Sequence, residues 1–93
     1  MNKQEHSKQI MRTELFTEKF GNFFISTCYR RSSAAANPDG WYYETFGWRL
    51  SEHNEKTDWV ADNSGALSEK GAARQHDEVC RQLLETGEFK EDT

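Results

Sequence analysis

Residues 40–50 read Gly-Trp-Tyr-Tyr-Glu-Thr-Phe-Gly-Trp-Arg-Leu, and five of these eleven residues are aromatic. Aromatic side chains are enriched in strands because they pack well on a pleated, half-buried surface. With the two-residue period of a strand, we predict a core face formed by Tyr42, Glu44, Phe46, Trp48 and Leu50. We predict an exposed face formed by Trp41, Tyr43, Thr45, Gly47 and Arg49. The segment therefore predicts the central strand of a small sheet.

Two strands are predicted before this segment. Residues 14–19 predict a short strand, with a helical turn as the alternative, and residues 23–31 predict a second strand. The pair Gly21-Asn22 lies between two apolar runs and predicts a two-residue hairpin turn, because glycine adopts a positive φ easily. Along residues 23–31 the apolar side chains favour a core face formed by Phe23, Ile25, Thr27 and Tyr29.

Two reversals enclose the central strand. The segment Asn37-Pro38-Asp39-Gly40 predicts a turn, since proline pre-sets φ and glycine accepts the left-handed conformation. The polar residues 51–57 predict another reversal, and residues 58–62 predict a short last strand that residues 63–65 close.

The C-terminal part predicts one amphipathic helix. Ser68 is the predicted N-cap and Gly87 the predicted C-terminal stop. Between them, apolar or small residues recur at helical spacing: Ala72, Ala73, His76, Val79, Cys80, Leu83 and Leu84. We therefore predict an α+β two-layer domain, in which an antiparallel three- or four-stranded β-meander packs against one C-terminal α-helix.

Length and charge limit the organisation of the chain. Its 93 residues predict one domain, with a flexible N-terminal arm over residues 1–12, the folded unit over 13–89 and a tail over 90–93. The net charge of −4 is uneven, because the first 50 residues hold seven Lys/Arg against five Asp/Glu and the rest hold five against eleven. The acidic second half disfavours general attraction to nucleic acid or to an anionic membrane. No apolar run is long enough for a signal-peptide core or a membrane span.

The two cysteines and the helix histidine are the candidates for chemistry. Cys28 and Cys80 lack metal-motif spacing, which indicates buried free thiols and a cytoplasmic location. His76 and Cys80 have the spacing of two metal ligands on a helix, but both belong to the apolar stripe, so packing is favoured and no metal or cofactor is predicted. Because no nucleophile elbow, phosphate loop or dinucleotide fingerprint is present, we predict that the chain is not an enzyme.

Two surfaces are candidates for binding. The acidic residues of the helix and its end form either a solvated face or a surface for a basic partner: Asp77, Glu78, Glu85 and Glu88. The second surface combines aromatic and guanidinium groups that suit stacking on single-stranded nucleic acid: Trp41, Tyr43, Arg30, Arg31 and Arg49.

These features predict a small, acidic, non-enzymatic cytoplasmic interaction protein that binds another macromolecule. A protein is the favoured partner, and an inhibitor or accessory factor of phage or plasmid type is the analogy that such small proteins suggest. The alternatives are a single-stranded nucleic-acid-binding module that uses the aromatic and arginine residues, and a self-associating homodimer. No membrane partner is predicted.

Overall fold

The structure is a computed structural model that describes residues 7–31 and 40–91. These residues form strands β1 Ser7–Thr17, β2 Gly21–Arg31, β3 Trp41–Leu50 and β4 Lys56–Ala66, followed by helix α1 Glu69–Thr86. The sheet has the order β1-β2-β3-β4, each strand is antiparallel to its neighbour, and α1 packs on one face. The predicted α+β meander with a C-terminal helix is confirmed, with four strands.

Strand β1 begins earlier than predicted. Residues 7–12, assigned to a flexible arm, pair with β2 from Ser7 opposite Arg30. The strand lies at the edge of the sheet, where it needs few apolar residues, and a bulge at Ile10 disturbs its alternation. Both features conceal the strand in the sequence. Residues 1–6 of the predicted arm and residues 92 and 93 of the predicted tail lie outside the described residues.

The hairpin between β1 and β2 turns over residues 18–20, so the prediction of a Gly21-Asn22 turn is wrong. Thr17 pairs with Gly21, whose φ is +89°. The Thr17 hydroxyl donates to the Gly21 carbonyl oxygen at 2.7 Å and accepts from the Phe20 N–H at 2.9 Å. This side chain closes the connection before the dipeptide, and Asn22 belongs to β2. Of the turn predicted over residues 37–40, all but Gly40 lies outside the described residues.

Helix α1 has both predicted caps. The Ser68 hydroxyl accepts from the Gly71 N–H at 3.0 Å, and Gly87 is left-handed with its N–H bonded to the Leu83 carbonyl oxygen at 3.0 Å. The residues that face the sheet are buried: Ala72, Gln75, His76, Val79 and Leu83. Leu84, predicted on the same stripe, is 49% exposed. Within the described residues, no helix is both long and apolar enough to cross a membrane.

Helix α1 covers the face of β3 that was predicted to be exposed, so the predicted faces of this strand are wrong. A Cβ placed on Gly47 would lie 3.0 Å from the Cβ of Ala61 and 3.5 Å from the Leu83 side chain. The small centre of β3 therefore lets the helix approach the sheet closely. Thr45 is fully buried beside it, whereas Phe46 and Trp48 point to the opposite side.

The register between β2 and β3 explains this exchange of faces. The predicted core face of β2 is correct, because Phe23, Ile25 and Thr27 are fully buried. Ile25 lies opposite Gly47, and residues directly opposite each other share a face. A shift by one residue would turn every side chain of β3 over. The connection between the strands is too long for its sequence to define this register.

Candidate functional site

The sheet face that points away from α1, here called the open sheet face, combines aromatic and charged side chains. Its aromatic residues lie toward the end where β3 finishes: Phe16, Phe24, Phe46, Trp48 and Trp59. Toward the other end the side chains are polar: Gln9, Ser26, Arg30, Tyr42, Glu44 and Asp62. This division gives the face an apolar half and a hydrogen-bonding half.

The aromatic half is a continuous group of rings. The Phe46 ring centroid lies 5.6 Å from Trp48 and 6.0 Å from Trp59, and Phe24 lies 6.0 Å from Trp48. Aromatic pairs at these separations attract each other beyond simple burial of area. The Trp59 ring contacts Phe46 on one side, and the Trp59 side chain remains 61% exposed. A tryptophan fixed by its neighbours but open to solvent has the properties of an interface anchor.

Basic side chains lie over these rings. The Lys56 Nζ lies 4.3 Å from the Trp48 centroid and 4.7 Å from Phe24, and the Arg12 guanidinium lies 5.2 Å from Phe24. Such cation–π contacts are attractive, and the side-chain stems cover apolar surface. Phe24 is therefore only 8% exposed, although it lies on the face away from the helix.

The polar half of the open sheet face contains a buried carboxyl group. Glu44 is 9% exposed, and it accepts hydrogen bonds from the Arg30 guanidinium at 3.2 Å and the Tyr42 hydroxyl at 3.3 Å. Burial, and then the hydrogen bond and charge of Asp62, raise the pKa of Glu44 to about 7 against the lowering effect of Arg30. Burial and the Glu44 charge also raise the pKa of Tyr42. This face therefore changes charge near neutral pH.

Under α1, by contrast, polar side chains join the helix to the sheet. Both ring nitrogens of His76 are hydrogen-bonded, Nε2 to the Thr13 hydroxyl at 2.8 Å and Nδ1 to the Thr27 hydroxyl at 2.7 Å. Thr27 bonds in turn to Thr45 at 2.6 Å, and the Gln75 amide donates to Thr45 at 3.1 Å. Burial lowers the pKa of His76, so the imidazole is neutral and its role is to pair buried hydroxyl groups.

Among the described residues, the pair of His76 and Cys80 does not belong to any group of side chains that could hold a metal ion. Within residues 7–31 and 40–91, no group of three or more His, Cys, Asp or Glu side chains lies close enough to hold a metal ion. Burial raises the pKa of the Cys80 thiol, which is the opposite of what a cysteine nucleophile needs.

The structure divides the predicted aromatic and arginine surface into three locations. Trp41, Tyr43 and Arg31 lie together at the end of the sheet beyond the N-terminus of α1. Arg30 lies on the open sheet face, and Arg49 lies near the other end, where it donates to the Phe20 carbonyl oxygen at 2.7 Å. The prediction that these five residues share one exposed face is wrong, because Arg30 points to the side opposite Arg31 and because Arg49 lies at the far end of β3 from Trp41.

Of the three residues that remain together, Tyr43 lines a recess, here called the helix-side recess. The Tyr29 and Trp41 rings are stacked with centroids 4.6 Å apart and 13° between their planes, and the Arg31 guanidinium lies 5.8 Å from Trp41. The recess has a volume of about 670 Å³ and is lined by Lys8, Ile10, Met11, Tyr29, Tyr43 and Glu69. Its size lies in the range of small-molecule sites.

The predicted acidic surface of α1 is partly neutralised by the helix itself. The Arg81 guanidinium donates to the Glu78 carboxylate at 3.1 Å and to the Glu85 carboxylate at 2.7 Å. The hydrogen bonds that Glu78 accepts from Arg81 and Gln82 lower the pKa of Glu78. Asp77 and Glu88 are exposed. The four predicted residues therefore lie on or just after one helix but do not form a uniform negative patch.

Comparisons with protein-family models, with curated proteins and with solved structures find no match to this chain. The class is therefore defined by the fold and the surface alone: a small two-layer α+β domain with an aromatic and charged open sheet face.

Sequence reasoning did not identify the aromatic group of the open sheet face as a candidate site, since Phe46 and Trp48 had been assigned to the core. One available signal was the setting of Trp59. Polar residues precede it at Lys56, Thr57 and Asp58, which is typical of an exposed edge strand rather than a buried one.

Proposed function

We propose that this protein is a small non-enzymatic module that binds another protein through its open sheet face. The observation that carries the proposal is the aromatic group of Phe24, Phe46, Trp48 and Trp59, with Trp59 61% exposed beside basic side chains. Tryptophan and arginine dominate the residues that contribute most to protein interfaces, and an exposed apolar patch with a polar rim marks an interaction site.

The charges of the open sheet face favour a protein partner. Three basic side chains, Arg12, Arg30 and Lys56, share the face with three acidic ones, Glu14, Glu44 and Asp62. Surfaces that bind nucleic acid concentrate positive charge, whereas a balanced pattern of both signs suits a protein surface of complementary charge. Ion pairs occur on both surfaces, because Arg12 and Arg30 pair with acidic residues of the open sheet face as Arg81 does on α1. The acidic residues of α1 are a weaker candidate because no exposed aromatic group accompanies them among the described residues.

The proposed location is the cytoplasm. Cys28 and Cys80 are both free thiols, which persist in a reducing compartment. A role as an inhibitor or accessory factor belongs to the same proposal, because such proteins act by occupying a surface of their target rather than by catalysis.

Affinity capture from the native lysate, with and without nuclease, tests this surface. We expect a nuclease-resistant protein partner on the wild-type chain, and at least about tenfold weaker capture by Trp59→Ser, since it removes an interface anchor. Leu84→Ser, which changes a half-exposed apolar residue of α1, is the matched control and retains the partner. If Glu85→Lys loses the partner while Trp59→Ser retains it, the interaction belongs to the helix.

A second candidate function is binding of single-stranded nucleic acid beside the helix-side recess. The stack of Tyr29 and Trp41 next to Arg31 and Lys8 supports it, because bases stack on aromatic rings with cationic neighbours. A Trp48→Phe/Trp59→Phe variant retains Trp41 as its single tryptophan. Fluorescence quenching by oligonucleotides that weakens with salt would support this function. No quenching at low salt would rule it out.

A further inference from the structure

The residues of the open sheet face form rows, because side chains opposite each other in the antiparallel register point to the same side. From β1 to β4, the middle row contains Arg12, Ser26, Phe46 and Asp62. The adjacent row contains Glu14, Phe24, Trp48 and Trp59, and the row after it contains Phe16, Asn22, Leu50 and Lys56. A positive and a negative side chain thus lie at opposite edges of the middle row.

We propose that the open sheet face binds the open sheet face of a second copy of this chain, with the two-fold axis parallel to the strands. The inference rests on the proposed function of this face and specifies its partner. Such an axis places β1 of one copy over β4 of the other in the same row, and β2 over β3. Arg12 then lies opposite Asp62 of the partner subunit, and the symmetry repeats this pair.

In the adjacent row, this arrangement also places Glu14 at the edge opposite Trp59 of the partner subunit. Phe24 lies opposite Trp48 of the partner subunit at the centre, and Phe16 lies opposite Lys56 of the partner subunit at the edge, where a cation–π contact can form. Stacked sheets lie about 10 Å apart and are rotated by about 30°. This rotation moves edge positions by about 4 Å, which an arginine side chain can follow.

The charge pattern disfavours a perpendicular axis through the middle row. Such an axis would place Arg12 over Arg12 of the partner subunit and Asp62 over Asp62 of the partner subunit, so like charges would meet at both edges. Like charges placed opposite each other across an interface are strongly unfavourable. The parallel axis brings no two like charges of the three rows into opposition.

The area of the face is sufficient for a specific pair. Four strands about 4.8 Å apart, with about ten residues of about 3.3 Å each, cover about 600 Å² per copy and about 1,200 Å² in both copies together. This value lies at the lower limit of specific protein interfaces. The exposed rings of Phe16 and Trp59, which are 66% and 61% exposed, would be covered by the partner.

Two charge reversals, Arg12→Asp and Asp62→Arg, test the proposed pair. Within one chain the two positions are three strand spacings apart, about 14 Å, so neither change compensates the other there, although Arg12 also pairs with the exposed Glu14 and Asp62 also contacts Glu44 of its own chain. We expect each variant alone to associate at least about tenfold more weakly than wild type. An equal mixture of the two variants restores association, because both contacts of the mixed pair then join opposite charges. Sedimentation velocity at concentrations up to about 1 mM measures this.

The controls use the same changes on the other side of the molecule. Arg74→Asp and Asp77→Arg alter exposed residues of α1, and they leave association unchanged. Circular dichroism verifies that each variant is folded, and Arg12→Glu with Asp62→Lys provides a second pair if either variant is not. A mixture that stays monomeric while the wild type dimerises overturns the proposal. A monomeric wild type also overturns it, and if Trp59→Ser still loses a captured protein, the proposed function stands without the homodimer.

Discussion

At the residue scale, two buried ionisable side chains on opposite faces of the sheet have shifted pKa values. On the open sheet face, burial and Asp62 raise the pKa of Glu44. Under α1, burial lowers the pKa of His76. In both groups burial is the main cause and shifts the pKa in favour of the neutral form, so the two groups make stability depend on pH in opposite directions.

Glu44→Gln should remove a pH dependence of stability. The pKa of Glu44 rises from its ordinary value of 4.5 to about 7, so the folded state holds the proton more tightly than the unfolded state does. The protonated Glu44 side chain therefore contributes on the order of 2 kcal/mol to the free energy of unfolding. This contribution is complete below about pH 4.5 and is lost as the pH rises to about 7. The Gln amide stays neutral at every pH. Urea unfolding between these pH values should therefore show a falling free energy of unfolding in the wild type and not in Glu44→Gln.

The exposed loop variant Glu52→Gln is the matched control and should follow the wild-type profile. The effect of His76 has the opposite sign, since a lowered pKa removes stability as the pH falls below the unfolded value of 6.5. Comparison with Glu44→Gln over the same range isolates the carboxyl group. Parallel profiles for the wild type and Glu44→Gln would contradict the assigned role.

At the element scale, α1 depends on how its two ends are closed. Ser68 satisfies an N–H group of the first turn, and Gly87 ends the helix in a left-handed conformation with φ of +74°. Gly87 also packs against the Phe20 ring of the first hairpin, where a Cβ would lie 2.6 Å from a ring carbon. The end of the helix is therefore fixed by tertiary packing as well as by its cap.

Gly87→Ala should destabilise the protein by about 2 kcal/mol, which combines the cost of a left-handed alanine with the displacement of the Phe20 ring. Thermal or urea unfolding gives the value. The same substitution made in a Phe20→Ala background should cost less, because the Phe20 atoms within 2.7 Å of the added Cβ are then absent. Equal costs in both backgrounds would show that the backbone conformation alone is responsible.

At the scale of the whole molecule, the sheet has two different faces. One is joined to α1 by apolar packing and by the hydrogen bonds of His76 and Gln75. The other keeps its aromatic rings on the surface under Arg12 and Lys56. A two-layer domain of this kind leaves one sheet face for a partner, and the proposed functions follow from that asymmetry.

If the partner is a second copy, the midpoint of thermal unfolding should rise with protein concentration, because association stabilises only the folded chain. For a domain of this size we expect about 4 °C for each tenfold increase above the dissociation constant. Trp59→Ser should remove the dependence, and Leu84→Ser should retain it. A wild-type midpoint that does not change with concentration would contradict self-association.

The accuracy of prediction differed between elements for physical reasons. The helix was predicted with both caps, because Ser68 and Gly87 form hydrogen bonds with residues only three or four positions away in the chain. The edge strand β1 was placed too late, since an edge strand with a bulge carries little periodic signal. Of the candidate binding residues, Arg31, Trp41 and Tyr43 lie together as expected, whereas the open sheet face was not recognised.

The sequence by itself determined the type and order of the elements, the antiparallel meander, the helix caps and the core face of β2. These features depend on hydrophobic periodicity and on contacts between residues close in the chain, and both can be read from the sequence. The bounds of two strands differ from the prediction, since β1 begins at Ser7 and β4 extends over Lys56–Ala66, including residues 63–65 that were predicted to close it. Only the tertiary structure decided which face of β3 meets the helix, because a period of two gives two equal candidates and a distant register chooses between them. The helix packs where Gly47 leaves room, and the larger rings of Phe46 and Trp48 therefore remain on the surface, where the proposed partner binds.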